Sequence, residues 1–331
     1  MSTLDNLSVL NKYSQYLLAQ YNPFPMGRYV SMIVIRKTET ETIFRTEGSG
    51  EGLVKESVIA GVEHTKPMRR VVISKRKQTA VERRTGREVL REHNLLKLAG
   101  KGEQPCALNT NAPCGKCIDC MLYGYAVGGG GAQKSRVMTE DAYSIGPVAQ
   151  VTDSRTFNAT YDNGTMRNPA NGEASSSINE DEFVRAETHF LDIETLKDVT
   201  LGELQYVLAN IMRSSRYGAI SSRMGKIHNT IAAIVFSDTE IFSNLELTQV
   251  VYDGLLSGNS ELDFPLPDGA VYQAVQNAMQ QLVQQVVGRV FVMPQQEIQQ
   301  MRTETIALYR ESETVKAFLG EVEKGYAPAS Q

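Results

Sequence analysis

Residues 29–36 read YVSMIVIR, and this stretch decides the expected fold class. The segment is apolar and rich in β-branched residues, and it follows the turn-forming Pro23 and Pro25, which is typical of a β-strand. A hairpin partner is expected at residues 42–46. Further strands are predicted at residues 71–74, 183–193, 227–236 and 289–293. Because strands and helices alternate with long insertions, we predict an α+β fold with helices on one face of the sheet.

Helical periodicity predicts helices at residues 79–98, 201–212, 247–256, 271–287 and 296–324. Thr200 is a candidate N-cap for the second of these. The first helix carries leucines on one side and arginines on another, and Gly86 weakens it. The last helix is polar and is expected to lie on the surface.

The net charge of −4 conceals a strongly basic segment. Residues 66–91 carry ten basic side chains and two acids, Glu82 and Glu88, so the rest of the chain is acidic. A localised basic stripe on an acidic body indicates a dedicated site for a polyanion. The alternative is a basic helix face that is merely solvated.

The sequence contains no signal for membrane insertion or export. No stretch approaches the roughly 18 consecutive apolar residues of a membrane span. Residues 1–10 show no basic region followed by an apolar run. We therefore expect a cytoplasmic protein without a membrane partner.

All four cysteines of the chain lie within 15 residues, at Cys106, Cys114, Cys117 and Cys120. Their spacing, C-x7-C-x2-C-x2-C, lets neighbouring thiolates converge on one ion, and zinc takes four such ligands. Four cysteine ligands leave no open position, so the sequence predicts a structural zinc ion. An iron–sulfur cluster and unliganded thiols are the alternatives.

Several short motifs follow one another in a specific order. Residues 135–142 read SRVMTEDA, residues 171–174 read NGEA, and residues 182–190 read EFVRAETHF. The glycine-rich pair RYGA and RMG follows at residues 216–219 and 223–225. This order resembles the CRISPR RAMP superfamily over residues 25–293. With the cysteine insertion, the chain is most similar to the backbone subunit of the type I-D Cascade complex, although Glu187 stands where relatives have glycine.

The resemblance implies a ferredoxin-like, RRM-related palm with two insertions. The palm would comprise residues 1–99, 126–152 and 183–295. The cysteine-rich zinc-binding insertion would be residues 100–125, and a β-hairpin thumb would be residues 153–182. A helical extension would follow at residues 296–331.

The function implied by the resemblance is that of a backbone subunit that binds CRISPR guide RNA (crRNA). Such a subunit polymerises along the spacer and presents it for pairing with invading nucleic acid in antiviral defence. The expected partners are crRNA, copies of the same chain, other Cascade subunits and the target strand, which is DNA or RNA. Because RNA held for pairing keeps its base edges free, the protein should contact phosphates and 2′-hydroxyls.

The candidate RNA contacts are basic side chains in the stripe and beside the glycine-rich loops. They are Arg69, Arg70, Lys75, Arg76, Lys77, Arg83, Arg84, Arg87, Lys134, Arg136, Arg155, Arg216, Arg223 and Lys226. Phe157 is added because an aromatic ring can stack on bases. It could equally be a core residue.

The motifs of common enzymes are absent from the sequence. Residues 128–135, GGGGAQKS, lack the second glycine of a P-loop, and the four histidines are scattered. RNA-cutting relatives use an aspartate early in the palm, and here Glu47 or Glu51 would have to replace it. We therefore expect no enzyme activity. A metal-dependent nuclease subunit and a generic zinc-containing RNA-binding protein are the alternatives.

Overall fold

The chain combines helices with one large antiparallel sheet, which confirms the predicted α+β class. A computed structural model describes residues 3–45, 52–99, 104–109, 113–127 and 131–326, with the backbone alone at residues 157–158 and 178–179. The strands in these residues are β1 (Tyr29–Thr38), β2 (Lys55–Ile59), β3 (Pro67–Ile73), β4 (Leu98–Ala99), β5 (Gln104–Pro105), β6 (Tyr125–Val127), β7 (Gly131–Gln133), β8 (Val137–Thr139), β9 (Ala142–Ser144), β10 (Thr152–Asn158), β11 (Ile178–Val184), β12 (His189–Lys197), β13 (Ile227–Ser237) and β14 (Val290–Val292).

The helices in the same residues are α1 (Ser8–Asn11), α2 (Lys75–Glu92), α3 (Ile118–Tyr123), α4 (Val148–Val151), α5 (Leu201–Arg213), α6 (Asn244–Leu256), α7 (Asp268–Leu282), α8 (Gln295–Leu308) and α9 (Ser312–Lys324). The predicted cap of α5 is present, because the Thr200 side chain accepts a hydrogen bond from the Glu203 backbone N–H and the Glu203 side chain accepts one from the Thr200 backbone N–H. None of the described helices combines the length and apolar character that a membrane crossing requires.

The quoted stretch at residues 29–36 becomes a central strand of the main sheet. The strand order is β14-β13-β1-β12-β9-β3-β2, with β8 also paired to β12. Every pairing is antiparallel, and Ile33 of β1 faces Ile193 of β12 and Ala233 of β13. Among the described residues 42–45, the predicted hairpin with β1 is not formed. Instead, Thr42 forms an isolated antiparallel bridge with Val184 of β11.

Helices cover both faces of the sheet, so the prediction of a single helical face is wrong. Val30, Met32 and Val34 pack with α2, α5, α8 and α9 on one face. Ile33 and Ile35 pack with α6 and α7 on the other face. A strand that is buried on both sides needs a nearly continuous apolar run, which is what β1 has.

The C-terminal segment forms two docked helices, where one polar surface helix was predicted. The helix breaks between α8 and α9, at residues 309–311. Met301 of α8 and Phe318 of α9 are buried in the same core as β1. The apolar side chains are few in each helix but share a face, so packing outweighs the polar composition.

A turn divides the predicted strand at residues 183–193. β11 ends at Val184, β12 begins at His189, and Glu187 between them has a φ of +64°. This left-handed conformation suits glycine, the residue that the resemblance predicts at this position. The turn separates the β10–β11 hairpin from the main sheet.

Gly86 allows α2 to approach α5 closely. A Cβ atom at Gly86 would lie 2.3 Å from Tyr206 Oη and 2.4 Å from Asn210 Nδ2. We expect Gly86→Ala to lower the free energy of unfolding by about 1–3 kcal/mol, because overpacking outweighs the gain in helix propensity. Denaturant titration measures the change. Gly254→Ala in α6 is the control, because no atom lies within 4 Å of its new Cβ, and an equal loss there would contradict the packing argument.

Candidate metal centre and nucleic-acid surface

The four cysteines approach one another through a tight turn and a short helix. Cys106 follows β5, Cys117 is the N-cap residue of α3, and Cys120 lies inside α3. Gly115, next to Cys114, has a φ of +65°, so the chain turns sharply enough to bring Cys114 back over the helix.

The sulfur atoms are arranged as a tetrahedral metal would require. All four Sγ atoms lie within 4.8 Å of one another. Cys120 Sγ is 3.5 Å from Cys106 Sγ and 3.8 Å from Cys114 Sγ. Four ligands at the usual zinc–sulfur length of about 2.3 Å stand about 3.8 Å apart. Backbone amides of Cys114 and Cys117 also donate to sulfurs of the cluster, which helps to stabilise thiolate charge. The donor set therefore fits a zinc ion.

Two arginines of the basic stripe support this cluster from outside. The buried Asp119 carboxylate, between Cys117 and Cys120, accepts two hydrogen bonds from Arg83, at 2.8 and 2.9 Å. It also pairs with Arg87, which donates to the Cys106 backbone carbonyl. Arg87 is buried and Arg83 keeps a side-chain exposure of 20%, and both guanidinium groups are engaged by internal partners. Contact of Arg83 with RNA stays a prediction. Charge-assisted hydrogen bonds to the buried Asp119 carboxylate stabilise these two guanidinium groups more than hydration at the surface would.

Arg70 and Arg136 are also corrected from RNA contacts to structural residues. Arg70 is fully buried, donates to the Ser144 backbone carbonyl at 2.6 Å and lies over the Tyr252 ring. Burial lowers its pKa to about 10. Arg136 is buried in an ion pair with Glu203. Strand alternation and burial turn these two side chains inward, which their basic character alone did not indicate.

The remaining predicted cations stay at least partly exposed. They are Arg69, Lys75, Arg76, Lys77, Arg84, Lys134, Arg155, Arg216, Arg223 and Lys226. In one group, Arg69 lies in β3 and Lys75, Arg76, Lys77 and Arg84 lie in α2. We call the second group, Arg155, Arg216, Arg223 and Lys226, the hairpin-base surface, because these residues lie in or near the base of the β10–β11 hairpin.

The hairpin-base surface borders a cleft of about 370 Å³. Arg155 and Arg223 line it together with the apolar Phe183 and Ile220 and with the acidic Glu41 and Asp181. The Arg155 guanidinium lies 5.4 Å from the centre of the Phe183 ring and pairs with Glu41. Within the described part of the chain, no carboxylate pairs with Arg216 or Arg223. Cations beside an apolar floor can hold both the phosphate and the base face of a nucleotide.

The glycine-rich loop beside this cleft requires glycine for steric reasons. Gly218 has a φ of +86°, and a Cβ there would lie 2.4 Å from the Ile43 carbonyl oxygen. Gly225 has a φ of +85°, and its Cβ would lie 2.3 Å from the Tyr217 carbonyl oxygen. The loop therefore folds tightly against residues 41–43.

A buried charged network under this loop was missed from the sequence. The guanidinium of Arg36 is 2.6 Å from Asp192, 2.8 Å from Glu82 and 3.8 Å from Glu194, and all four side chains are fully buried. Arg36 also donates to the Tyr217 hydroxyl at 3.0 Å. Burial and the neighbouring Glu82 raise the pKa of Glu194 well above its ordinary value. The sequence signal that could have indicated this network is Arg36, a charged residue in the otherwise apolar stretch of β1.

The comparison with protein families decides the assignment. A model of the Csc2 Crispr family matches residues 16–319, which is most of the chain. The chain belongs to this family. The predicted RAMP-type Cascade backbone subunit, which binds guide RNA in CRISPR defence, is therefore confirmed.

A solved structure of another Csc2 protein has the same fold as this Csc2-family chain. The crystal structure of Thermofilum pendens Csc2 matches with a TM-score of 0.62 and 18% identity, covering 99% of this chain and 100% of that chain. Two chains of CRISPR RNA-guided surveillance complexes, the first in a pre-nicking state, both have TM-scores of 0.48. They share 12% and 11% identity and cover 80% and 88% of this chain, and 90% and 99% of their own. No curated protein matches the chain.

Some predictions for this Csc2-family chain fall outside the described residues. These are Glu47 and Glu51, the proposed substitutes for a catalytic aspartate, and the side chain of Phe157. The backbone of Phe157 pairs with Asn179 in the β10–β11 hairpin. Its stacking on RNA stays a prediction.

Proposed function

We propose that this subunit binds the phosphates of guide RNA through its hairpin-base surface. One observation carries the proposal: Arg155, Arg216, Arg223 and Lys226 stay exposed, and Arg155 and Arg223 line one cleft, whereas Arg70, Arg87 and Arg136 are buried in structural contacts. Exposed arginines beside a closely folded backbone suit binding that is independent of base sequence. The exposed part of the basic stripe would extend this surface.

The palm in this proposal is ferredoxin-like and RRM-related. The strands β1, β9, β12 and β13 lie in the spatial order β13-β1-β12-β9. Helix α2 follows β1 and α5 follows β12, and both pack on the same face. This agrees with the β-α-β-β-α-β arrangement of that fold. The β10–β11 hairpin would be the thumb, and the cysteine segment would be a separate insertion.

The proposed partners follow from the requirement that the base edges of the guide RNA stay free for pairing. Contacts to the backbone leave base edges free to pair with a target strand, DNA or RNA. Further copies of the chain would continue along the same guide RNA, with other Cascade subunits at the ends. The assembly would form in the cytoplasm, where cysteine thiols remain reduced.

We further propose a structural zinc ion at Cys106, Cys114, Cys117 and Cys120, and no catalytic role for the chain. A four-sulfur site offers no open coordination position for substrate. An iron–sulfur cluster is the alternative occupant. The three carboxylates grouped around Arg36 are fully buried, so they are not accessible to a nucleic acid.

The proposed RNA surface is tested by removing two of its arginines. We expect Arg216→Ala combined with Arg223→Ala to weaken binding to unrelated single-stranded RNAs by about 10–100-fold, since each charged hydrogen bond contributes about 1.5–3 kcal/mol and part of the loss is compensated by neighbours. The slope of log K against log salt concentration should decrease in magnitude by about 1.4, because each lost phosphate contact with single-stranded RNA removes about 0.7 from it. Fluorescence anisotropy over a salt series measures both quantities.

The matched control is Arg302→Ala combined with Arg310→Ala. These two arginines are exposed at α8 and just beyond it, and their removal changes the net charge equally. The control should leave the affinity and the salt dependence close to those of the unmodified chain. Equal effects of both double variants would show that the net charge, rather than the hairpin-base surface, governs binding.

A further inference from the structure

The glycine-rich loop, residues 216–226, carries exposed cations and is anchored by one buried side chain. Ser221, Ser222 and Arg223 are exposed, as is Arg216, whereas Tyr217 is fully buried. Backbone hydrogen bonds close the base of the loop, among them Tyr217 N–H to the Gly225 carbonyl at 3.0 Å. The anchor and the exposed cation Arg216 are therefore neighbours in sequence.

The Tyr217 hydroxyl makes every hydrogen bond that a phenol can make. It accepts from Arg36 Nη1 and from Asn229 Nδ2, both at 3.0 Å, and it donates to Glu82 Oε1 at 2.9 Å. A phenolic oxygen has one hydrogen to donate and lone pairs to accept. Because all of these bonds are formed in the interior, the ring position is closely defined.

The partners of this hydroxyl are themselves held in place. Arg36 is fixed by Asp192 through Nε at 2.8 Å and Nη2 at 2.6 Å. Asp192 in turn accepts from Asn244 Nδ2 at 3.0 Å. The network thus joins the loop to β1, β12, α2 and α6. Glu82 belongs to α2, the helix that exposes part of the basic stripe.

We propose that Tyr217 is a positioning residue for RNA binding, acting through the Arg36 and Glu82 network to hold residues 216–226 in the conformation that presents Arg216 and Arg223. The inference rests on the proposed function of the hairpin-base surface. A loop that is ordered before binding loses less conformational freedom when RNA arrives. Tyr217 itself is buried and does not touch the RNA.

The test is Tyr217→Phe, which keeps the ring and removes the hydroxyl. We expect RNA affinity to fall by about tenfold, within the range for coupled neighbouring residues, and the salt dependence to fall as well. Combined with Arg216→Ala and Arg223→Ala, Tyr217→Phe should cause no further loss, because the cations it positions are gone. A general loss of stability would instead add to the arginine effect.

The control is Thr305→Val, which removes another buried hydroxyl that accepts from Gln205 at 2.9 Å, between α5 and α8. It should leave RNA affinity and salt dependence unchanged at a temperature where all variants are folded by circular dichroism. If Tyr217→Phe does not fold, Glu82→Gln replaces it, because this change keeps the tyrosine and weakens its charged acceptor. Glu82→Gln should reduce the salt dependence of RNA binding, but by less than the amount expected for Tyr217→Phe.

The outcomes separate this inference from the proposed function. If the arginine double variant binds RNA normally, the hairpin-base surface is wrong and the inference falls with it. If the arginine variant is weakened but Tyr217→Phe, or Glu82→Gln in its place, has the salt dependence of the unmodified chain, the positioning role alone is overturned. An equal loss of affinity in Thr305→Val and Tyr217→Phe would also overturn it.

Discussion

Replacing Arg36 with methionine is expected to lower the free energy of unfolding by about 3–5 kcal/mol, as is typical when one partner is removed from a buried ion pair. Methionine is apolar and unbranched but shorter than arginine, so the change removes the charge and the hydrogen bonds of the guanidinium group. Glu82 and Asp192 would remain fully buried without the cation that faces both of them. Domains of this kind are stable by only about 5–15 kcal/mol, so the variant should be close to unfolding at physiological temperature.

Chemical denaturation followed by circular dichroism measures this loss. Arg289→Met is the control, because Arg289 forms an ion pair with Asp238 at 2.7 Å but is 91% exposed. Solvent screens an exposed pair of this kind, so its loss should leave the denaturation midpoint unchanged. Similar midpoints for the two variants would show that the charges around Arg36 contribute little to stability.

Replacing Cys117 with serine is expected to reduce bound zinc from about one ion per chain to nearly none, because a structural zinc site needs all four ligands. Cys117 is the N-cap residue of α3, a position where serine is favoured. The helix itself should therefore tolerate the change, so the effect isolates the metal. Elemental analysis of protein purified without chelator measures the zinc content.

Loss of the ion should destabilise the cysteine segment more than the palm, because the palm has its own core. Amide hydrogen exchange should accelerate in residues 104–109 and 113–127 and stay slow in β1. Met121→Ser is the control, since it places serine in the same helix without removing a ligand. Zinc-free protein before any substitution, or full zinc content in Cys117→Ser, would refute a structural zinc site.

Local patterns predicted the elements whose signals are short-range. The apolar run of β1, the cap at Thr200 and the cysteine spacing each depend on neighbours a few residues away. These signals survive folding because hydrogen-bond geometry and turn chemistry act locally. The motif order was sufficient to predict the family, which the match over residues 16–319 confirms.

The errors concern which partner each segment meets. The segment at residues 296–324 was expected on the surface, but Phe318 is buried in a core formed by elements that are far away in sequence. A single helical face was expected, but α6 and α7 cover the second one. Neither outcome is encoded in a local window, because burial depends on contacts between distant segments.

The sequence by itself determined the family, the α+β class, the central strand and the cysteine cluster, since order, periodicity and spacing carry this information. Only the tertiary structure decided which cations are available to RNA. Arg70, Arg83, Arg87 and Arg136 are oriented toward internal partners, whereas Arg216 remains exposed. A basic side chain contacts either a buried carboxylate or carbonyl, or a ligand at the surface. That choice depends on which groups the fold places within hydrogen-bonding distance, and composition does not contain it.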